Sequence, residues 1–177
     1  MHRVGEYAYT EADGYQVLDL PYAGKRVSMT VILPKKPDGL AAVEKELTGD
    51  KLTATLKRLQ PAKEVHVHLP RFKVESSFLL NDPLKALGMK EAFTEKADFG
   101  GMHTGGEVLF ISAVLHKAFV DVNEEGTEAA AATGVVVGTL SAPRPITFRA
   151  DRPFLYLIRD RKTNSVLFMG RLSEPAK

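Results

Sequence analysis

The chain has no cysteine and no tryptophan among its 177 residues. Without cysteine it can form neither a disulfide framework nor a thiol-based active site. No apolar run approaches the roughly 20 residues needed to cross a bilayer, and the first residues lack the apolar core of a signal peptide. The formal net charge is only +2, and the basic residues are scattered. Neither a membrane nor a nucleic acid is therefore an expected partner.

Hydrophobic periodicity predicts one continuous α+β unit without repeats or linkers. Residues 15–20 and 27–33 alternate apolar and polar side chains on either side of a Pro-Tyr-Ala-Gly turn, which indicates a β-hairpin. Helical spacing then predicts two helices in residues 38–47 and 50–59. Further elements are predicted in residues 65–69, the region after 71, 81–87, 108–122, 146–148, 154–158 and 166–172.

Three local interpretations accompany these elements. The largely apolar residues 108–122 favour a long strand in the middle of a sheet rather than at its edge. Phe154, Tyr156, Phe168 and Met169 are expected to pack in the core. The polar residues 159–162 are interpreted as a solvated hairpin turn.

Residues 123–141 are the most informative part of the sequence. An acidic pair and Gly126 lead into a run of alanines, then into β-branched residues and Leu140-Ser141. One interpretation is a short helix over residues 125–133, because alanine is the best helix former and Gly134 follows it as a helix-ending residue. The other is a loop whose small side chains allow it to enter a sheet as a strand.

The flanking sequence favours the second interpretation. Ordered motifs occur at residues 20–22, 69–72, 87–93, 97–102, 111–118, 124–131, 150–155 and 167–171. In this order and at these spacings they resemble the serpins, inhibitors of serine proteases. The resemblance implies a multi-helix, three-sheet α+β fold. Residues 1–177 then form a partial serpin domain, with the reactive-centre loop at about 124–146.

The resemblance is to the C-terminal half of a serpin, which is about twice as long. Most helices of the fold, and strands beside the loop, would then belong to a missing N-terminal half, which is an expected partner. We expect this chain alone to fold marginally and to expose sheet edges. The resemblance implies an extracellular protein, whereas the lack of a signal peptide leaves an intracellular one open.

A serpin is a protease inhibitor and not an enzyme, and the resemblance implies no cofactor. It implies a suicide mechanism in which a protease cleaves the loop, which then inserts into the main sheet. The hinge residues would be Glu124, Glu125, Gly126, Thr127, Glu128, Ala129, Ala130, Ala131 and Ala132.

The family's loop spacing places the reactive bond between Leu140 and Ser141. Leucine before the bond suits a serine protease with an apolar primary pocket, chymotrypsin-like or subtilisin-like. Arg144 would suit a trypsin-like enzyme, but Pro145 follows it and hinders cleavage.

Other interpretations stay open at this point. The chain is alternatively a non-inhibitory serpin that acts as a carrier, chaperone or storage protein, or an inactive fragment. His116 is either a gating residue, as the resemblance implies, or an ordinary core histidine. Ser112 and His116 lack the surroundings of a hydrolase site. His66 and His68 share one strand face, but no third metal ligand is evident in the sequence, so no metal site is predicted.

Overall fold

A computed structural model of the chain describes residues 1–102, 105–123 and 145–175. The strands are β1 (His2–Ala12), β2 (Tyr15–Pro21), β3 (Val27–Pro34), β4 (Gln60–His68), β5 (Phe72–Leu79), β6 (Leu115–Val122), β7 (Ile146–Arg149), β8 (Phe154–Asp160) and β9 (Val166–Leu172). The helices are α1 (Leu40–Glu46), α2 (Gly49–Lys57) and α3 (Asn81–Ala86), with 3-10 turns at Glu91–Phe93 and Gly100–Met102. None of the helices in these residues is long and apolar enough to cross a membrane.

Within the described residues, the larger sheet has seven strands in the order β7-β4-β1-β2-β3-β8-β9. The predicted hairpin is confirmed, because β2 pairs antiparallel with β3 and places Asp19 opposite Thr30. Strand β1 was not among the elements predicted from the sequence. Its pairing with β4 shifts register between Gly5 and Tyr7, and such an irregularity interrupts the alternation by which a strand is detected.

The two predicted helices cover one face of this sheet. Val43 of α1 packs with four sheet residues, and Leu40, Leu47, Leu52 and Leu59 lie against the same cluster. The four are Val17, Ile32, Leu155 and Leu157. Helix α2 begins after Thr48, whose hydroxyl accepts a hydrogen bond from the Lys51 amide and so satisfies one free helix N–H.

The chain divides into two compact units, one made of Met1–Phe72 with Val122–Lys177 and the other of Lys73–Asp121. The first contains the seven-stranded sheet. The second contains α3, the 3-10 turns and most of the pair β5 and β6, which forms a two-stranded sheet in the described part of the chain. Helix α3 buries none of its residues.

The predicted central strand over residues 108–122 is wrong in its length and in its surroundings. Strand β6 begins only at Leu115, and most of its side chains are exposed. The preceding residues bond to other groups: the Ile111 amide donates to the Ala92 carbonyl, and the Val114 carbonyl accepts from the Leu80 amide. The backbone groups of Ile111 and Val114 therefore form hydrogen bonds other than those of a longer β6.

The core prediction for the last two strands is half right. Phe154 and Tyr156 are buried in β8, whereas Phe168 and Met169 are 42% and 60% exposed in β9. Strand β9 is the last strand of the sheet in the described residues. Among the described residues it pairs with β8 only, and no further element covers the side chains of Phe168 and Met169.

Candidate functional site

The predicted hinge and the predicted reactive bond both lie outside the described residues. This applies to Glu124 through Ala132 and to Leu140 and Ser141. The structure instead describes the two strands between which this segment runs. Strand β6 ends at Val122 on one side, and β7 begins at Ile146 on the other.

Strand β6 immediately precedes the predicted hinge. Its second half contains Phe119, Val120 and Val122, which are aromatic or β-branched and so favour a strand. Val120 is buried, while Phe119 is half exposed and lies with its ring centre 5.0 Å from the Lys73 ammonium of β5. In the described part of the chain β6 pairs only with β5. Its other edge pairs with no strand within those residues, and such an edge is where a further strand can be added.

Strand β7 anchors the opposite end of the segment. It pairs in parallel with β4, where Ile146 lies beside Val65 and Phe148 beside Val67. Phe148 and Val65 are completely buried. The Ala150 amide continues this pairing with a 2.8 Å hydrogen bond to the His68 carbonyl. Residues 146–150, which follow the segment, are therefore held in the large sheet.

His116 is the second residue of β6, and its side chain is exposed. The interpretation as a core histidine is therefore wrong for this structure. His116 is exposed for the same reason as most of β6, because no element among the described residues covers the strand. The gating role of His116 stays a prediction.

A cluster of histidines lies elsewhere, on β1 and β4. The rings of His2 and His68 are stacked with their centres 4.3 Å apart, and the centres of His2 and His66 are 6.1 Å apart. His66 Nε2 lies 3.1 Å from Glu64 Oε1. Sequence reasoning found His66 and His68 but missed His2, because that histidine joins them only through the pairing of β1 with β4.

The surroundings of these rings disfavour a positive charge on one of them. Partial burial, with added repulsion from Arg149, the other two histidines and the terminal ammonium group, lowers the pKa of His68. Across residues 1–102, 105–123 and 145–175, no group of three or more His, Asp or Glu side chains is arranged so that it could hold a metal ion.

Comparison with known proteins identifies the family. The family model described as serpin, serine protease inhibitor, matches residues 1–175. The chain belongs to the serpin family. Human serpin B3 is 50% identical over 164 residues, which are 90% of this chain and 41% of that protein. Human antithrombin-III is 44% identical over 99% of the chain and 38% of its own length.

Two further similarities extend the comparison. Bovine leukocyte elastase inhibitor is 47% identical over 90% of this serpin chain and 44% of its own length. The crystal structure of uncleaved ovalbumin superimposes with a TM-score of 0.81 at 31% identity, covering 99% of this chain and 44% of that one. The expected family and the serpin fold are thus confirmed. The chain spans less than half the length of these relatives.

The matching family is described as serine protease inhibitors, and one relative is named as an inhibitor. The prediction that the chain belongs to a family of protease inhibitors is therefore confirmed. Three expectations stay predictions: that residues 1–177 are a single partial domain, that the loop occupies about 124–146, and that the protein is extracellular.

Proposed function

We propose that this chain carries the protease-reactive segment of a serpin that inhibits a serine protease as a suicide substrate. The observation that carries the proposal is that β6 pairs with one strand only within the described residues and leads directly into the predicted hinge sequence. A strand that pairs on one side only can accept a new strand on the other. The next residues along the chain are small enough to become that strand.

Each part of the segment contributes to insertion. Gly126 supplies backbone freedom where the loop becomes a strand. Ala129 through Ala132 lose almost no side-chain entropy when buried, and Val135 through Val137 favour extended backbone. If about 12 residues each gain a hydrogen bond of roughly 0.5–1.5 kcal/mol, insertion releases on the order of 10 kcal/mol. That is comparable to the stability of a whole domain.

The cleaved bond in this proposal is Leu140–Ser141. A leucine side chain before the bond fits a protease whose primary pocket is apolar, so the target is chymotrypsin-like or subtilisin-like. After acylation, insertion of the loop beside β6 carries the protease away from its initial position and distorts its active site. Hydrolysis of the acyl bond then stops, which makes the inhibition irreversible.

The proposal requires a partner for this chain, namely the N-terminal portion of the serpin fold. The relatives named above are more than twice as long as the matched region. That portion would supply the strand on the far side of the inserting loop and would cover the exposed side chains of β9. The active inhibitor is therefore this chain together with that portion, either in one polypeptide or in two.

The test incubates chymotrypsin with the chain joined to the N-terminal portion of a serpin fold. The expected product is a complex that survives detergent, together with a released peptide that starts at Ser141. The cleaved protein should also melt at a higher temperature than the intact protein. Cleavage at Leu140 with neither a complex nor a rise in melting temperature would assign a non-inhibitory role, such as carrier, chaperone or storage protein.

A further inference from the structure

Strands β1, β4 and β7 bring three basic side chains into one row across the large sheet. The antiparallel pairing of β1 with β4 places His2 opposite His68, and the parallel pairing of β4 with β7 places His68 beside Arg149. Residues that are paired in this way project from the same face of a sheet. The rings of His2 and His68 are stacked with their centres 4.3 Å apart. The row therefore combines one permanently charged side chain with two that titrate near neutral pH.

We propose that the row of His2, His68 and Arg149 makes the attachment of β7 to β4 sensitive to acid. At about pH 7.5 most of the imidazoles are neutral, so that Arg149 is the one charged member of the row. At about pH 5.5 protonation places like charges at adjacent positions of neighbouring strands. Like charges that lie directly opposite each other destabilise strand pairing. Strand β7 should therefore separate from β4 more often as the pH falls.

The charged groups around His68 oppose its protonation while β7 is attached. Partial burial, together with repulsion from Arg149, His2, His66 and the Met1 ammonium group, lowers the pKa of His68. A histidine whose pKa is lower in the paired form binds more protons once the pairing opens. Acid therefore favours the open form as the pH falls from the ordinary histidine pKa of about 6.5 toward the lowered one.

His66 projects from the same face but does not share this repulsion. Its Nε2 atom lies 3.1 Å from Oε1 of Glu64, and this carboxylate compensates for a positive charge on the His66 ring. The partner of His66 in β7 is the uncharged Thr147. Protonation of His66 should therefore have little effect on the attachment of β7.

Strand β7 is the element of the row that can respond. It has four residues, Ile146–Arg149, and pairs with β4 only in the described part of the chain. The Ala150 amide adds a 2.8 Å hydrogen bond to the His68 carbonyl. Strand β1, in contrast, is held by β2 as well as by β4. Phe148 is completely buried, so we expect β7 to stay attached most of the time and to open transiently.

This response has a consequence for inhibition, and that consequence rests on the proposed function. Strand β7 follows the predicted reactive bond Leu140–Ser141 in the sequence. More frequent opening of β7 would release the C-terminal end of the reactive segment from the sheet and weaken inhibition in acid. The acid response of β7 itself requires neither a protease nor insertion of the loop.

The experiment measures hydrogen–deuterium exchange of the intact chain at pH 7.5, 6.5 and 5.5, expressed as protection factors that correct for the intrinsic effect of pH on exchange. Opening of residues 146–150 should be about threefold to tenfold more frequent at pH 5.5 than at pH 7.5. The amides that join β2 to β3 should show no such change. His68→Gln and Arg149→Gln should remove most of the acid response, and His2→Gln should reduce it.

His66→Gln and His116→Gln are the matched controls. The first leaves the row intact, and the second removes an exposed histidine of β6, so both should keep the acid response. Protection of residues 146–150 that is independent of pH would overturn the proposal, as would an acid response that survives in His68→Gln or one that extends equally to β2 and β3. Circular dichroism verifies folding. If His68→Gln unfolds, Arg149→Gln, at an exposed position, decides the question.

Discussion

Arg159 of β8 donates a 2.9 Å hydrogen bond from Nη2 to Oδ1 of Asp19 in β2, although strand β3 lies between the two strands. Thr30 of β3 completes the link, since its hydroxyl donates to Asp19 and accepts from Arg159 Nε. The Ser28 hydroxyl also donates to Asp19. Only 1% of the Asp19 side chain and 7% of the Arg159 side chain are exposed. This buried ion pair therefore joins three strands of the seven-stranded sheet.

Replacing Asp19 by alanine should destabilise the protein by about 3–5 kcal/mol, because Arg159 would remain buried without its counter-charge. Urea unfolding gives the change in the free energy of unfolding. The double variant Asp19→Leu with Arg159→Met should recover part of the loss, because it removes both charges but also removes the acceptor of the buried Ser28 and Thr30 hydroxyls. Glu11→Gln is the control: it breaks an exposed pair with Lys35 that is worth at most about 1 kcal/mol, and its amide oxygen can still accept the Tyr9 hydroxyl. Equal losses in Asp19→Ala and Glu11→Gln would contradict the prediction.

The hairpin and the two helices of the large sheet were predictable because period-two and period-3.6 patterns are local properties. The role of Arg159 was not predictable from local sequence. Its neighbours indicate a solvated turn, yet it is buried against Asp19, which lies 140 positions away. A local signal did exist, since Asp19 interrupts an apolar strand and Ser28 and Thr30 alternate through another. Only the order of β2, β3 and β8 in the sheet shows that these residues meet.

The residues of the candidate site also differ in how far the sequence alone predicts them. The small residues after Gly126 predict insertion by their size, and this prediction falls outside the described residues. His2 joins His66 and His68 through strand pairing, which a window of sequence does not display. The short extent of β6 reflects hydrogen bonds of residues 111–114 to Ala92, Leu80 and Asn81. Such tertiary contacts override strand propensity.

Gly170→Ala should destabilise the protein by about 1–3 kcal/mol, the usual effect of overpacking a core. A Cβ atom at Gly170 would lie 2.5 Å from Cζ of Tyr156, and Tyr156 is only 2% exposed. The ring cannot move without displacing other core residues. Thermal and urea unfolding measure the effect.

The control for this substitution is Gly49→Ala in the first turn of α2, where an added Cβ meets nothing within 4 Å. That change should be neutral or stabilise the protein by up to about 1 kcal/mol. If Gly170→Ala is as stable as the wild type, the Tyr156 ring does not pack closely against Gly170 of β9.

Asp160 should contribute stability that disappears in acid. Its carboxylate accepts hydrogen bonds from Arg26 and from the amides of Lys162 and Thr163, and these bonds lower the pKa of Asp160 well below its usual range. A depressed folded-state pKa stabilises the fold above the unfolded pKa of about 3.9, and this contribution decreases as pH falls from there toward the folded pKa.

The measurement is the free energy of unfolding between about pH 6 and pH 2 for the wild type, Asp160→Asn and Arg26→Met. Asp160→Asn should flatten the acid side of the stability curve. Arg26→Met should flatten it only in part, because the two amide donors remain. An acid slope that is identical in all three proteins would refute the role assigned to Asp160.

Thr127→Arg should abolish inhibition while leaving cleavage intact, if the proposed function is correct. A charged side chain at the first inserting position must be buried for the loop to enter the sheet, which costs several kcal/mol. Mass spectrometry and denaturing gels measure how the protein, joined to its N-terminal portion, divides between stable complex and cleaved product with chymotrypsin. The fraction of cleaved product should rise, and the fraction of stable complex should fall.

Leu140→Arg is the matched change at the other end of the segment. It adds the same charge but lies outside the inserting hinge, so it should keep complex formation and transfer it from chymotrypsin to trypsin. If both arginine variants behave alike with their preferred proteases, insertion does not begin at Thr127.

Strand β9 should make the isolated chain associate with itself. Leu167 and Met169 project from one face and are 54% and 60% exposed, while Val166 and Phe168 on the other face are 43% and 42% exposed. An apolar strand with an unpaired edge is a template for pairing between chains. Light scattering after size exclusion should therefore show species larger than the monomer whose fraction rises with concentration.

The double variant Leu167→Lys with Met169→Lys should shift this distribution toward monomer, because edge lysines oppose pairing. Ala41→Lys with Ala54→Lys adds the same charge at exposed positions of α1 and α2 and leaves β9 unchanged. If the helix variant suppresses association equally, net charge rather than the apolar strand controls it. If the wild type is monomeric at every concentration, the exposed face of β9 does not drive association.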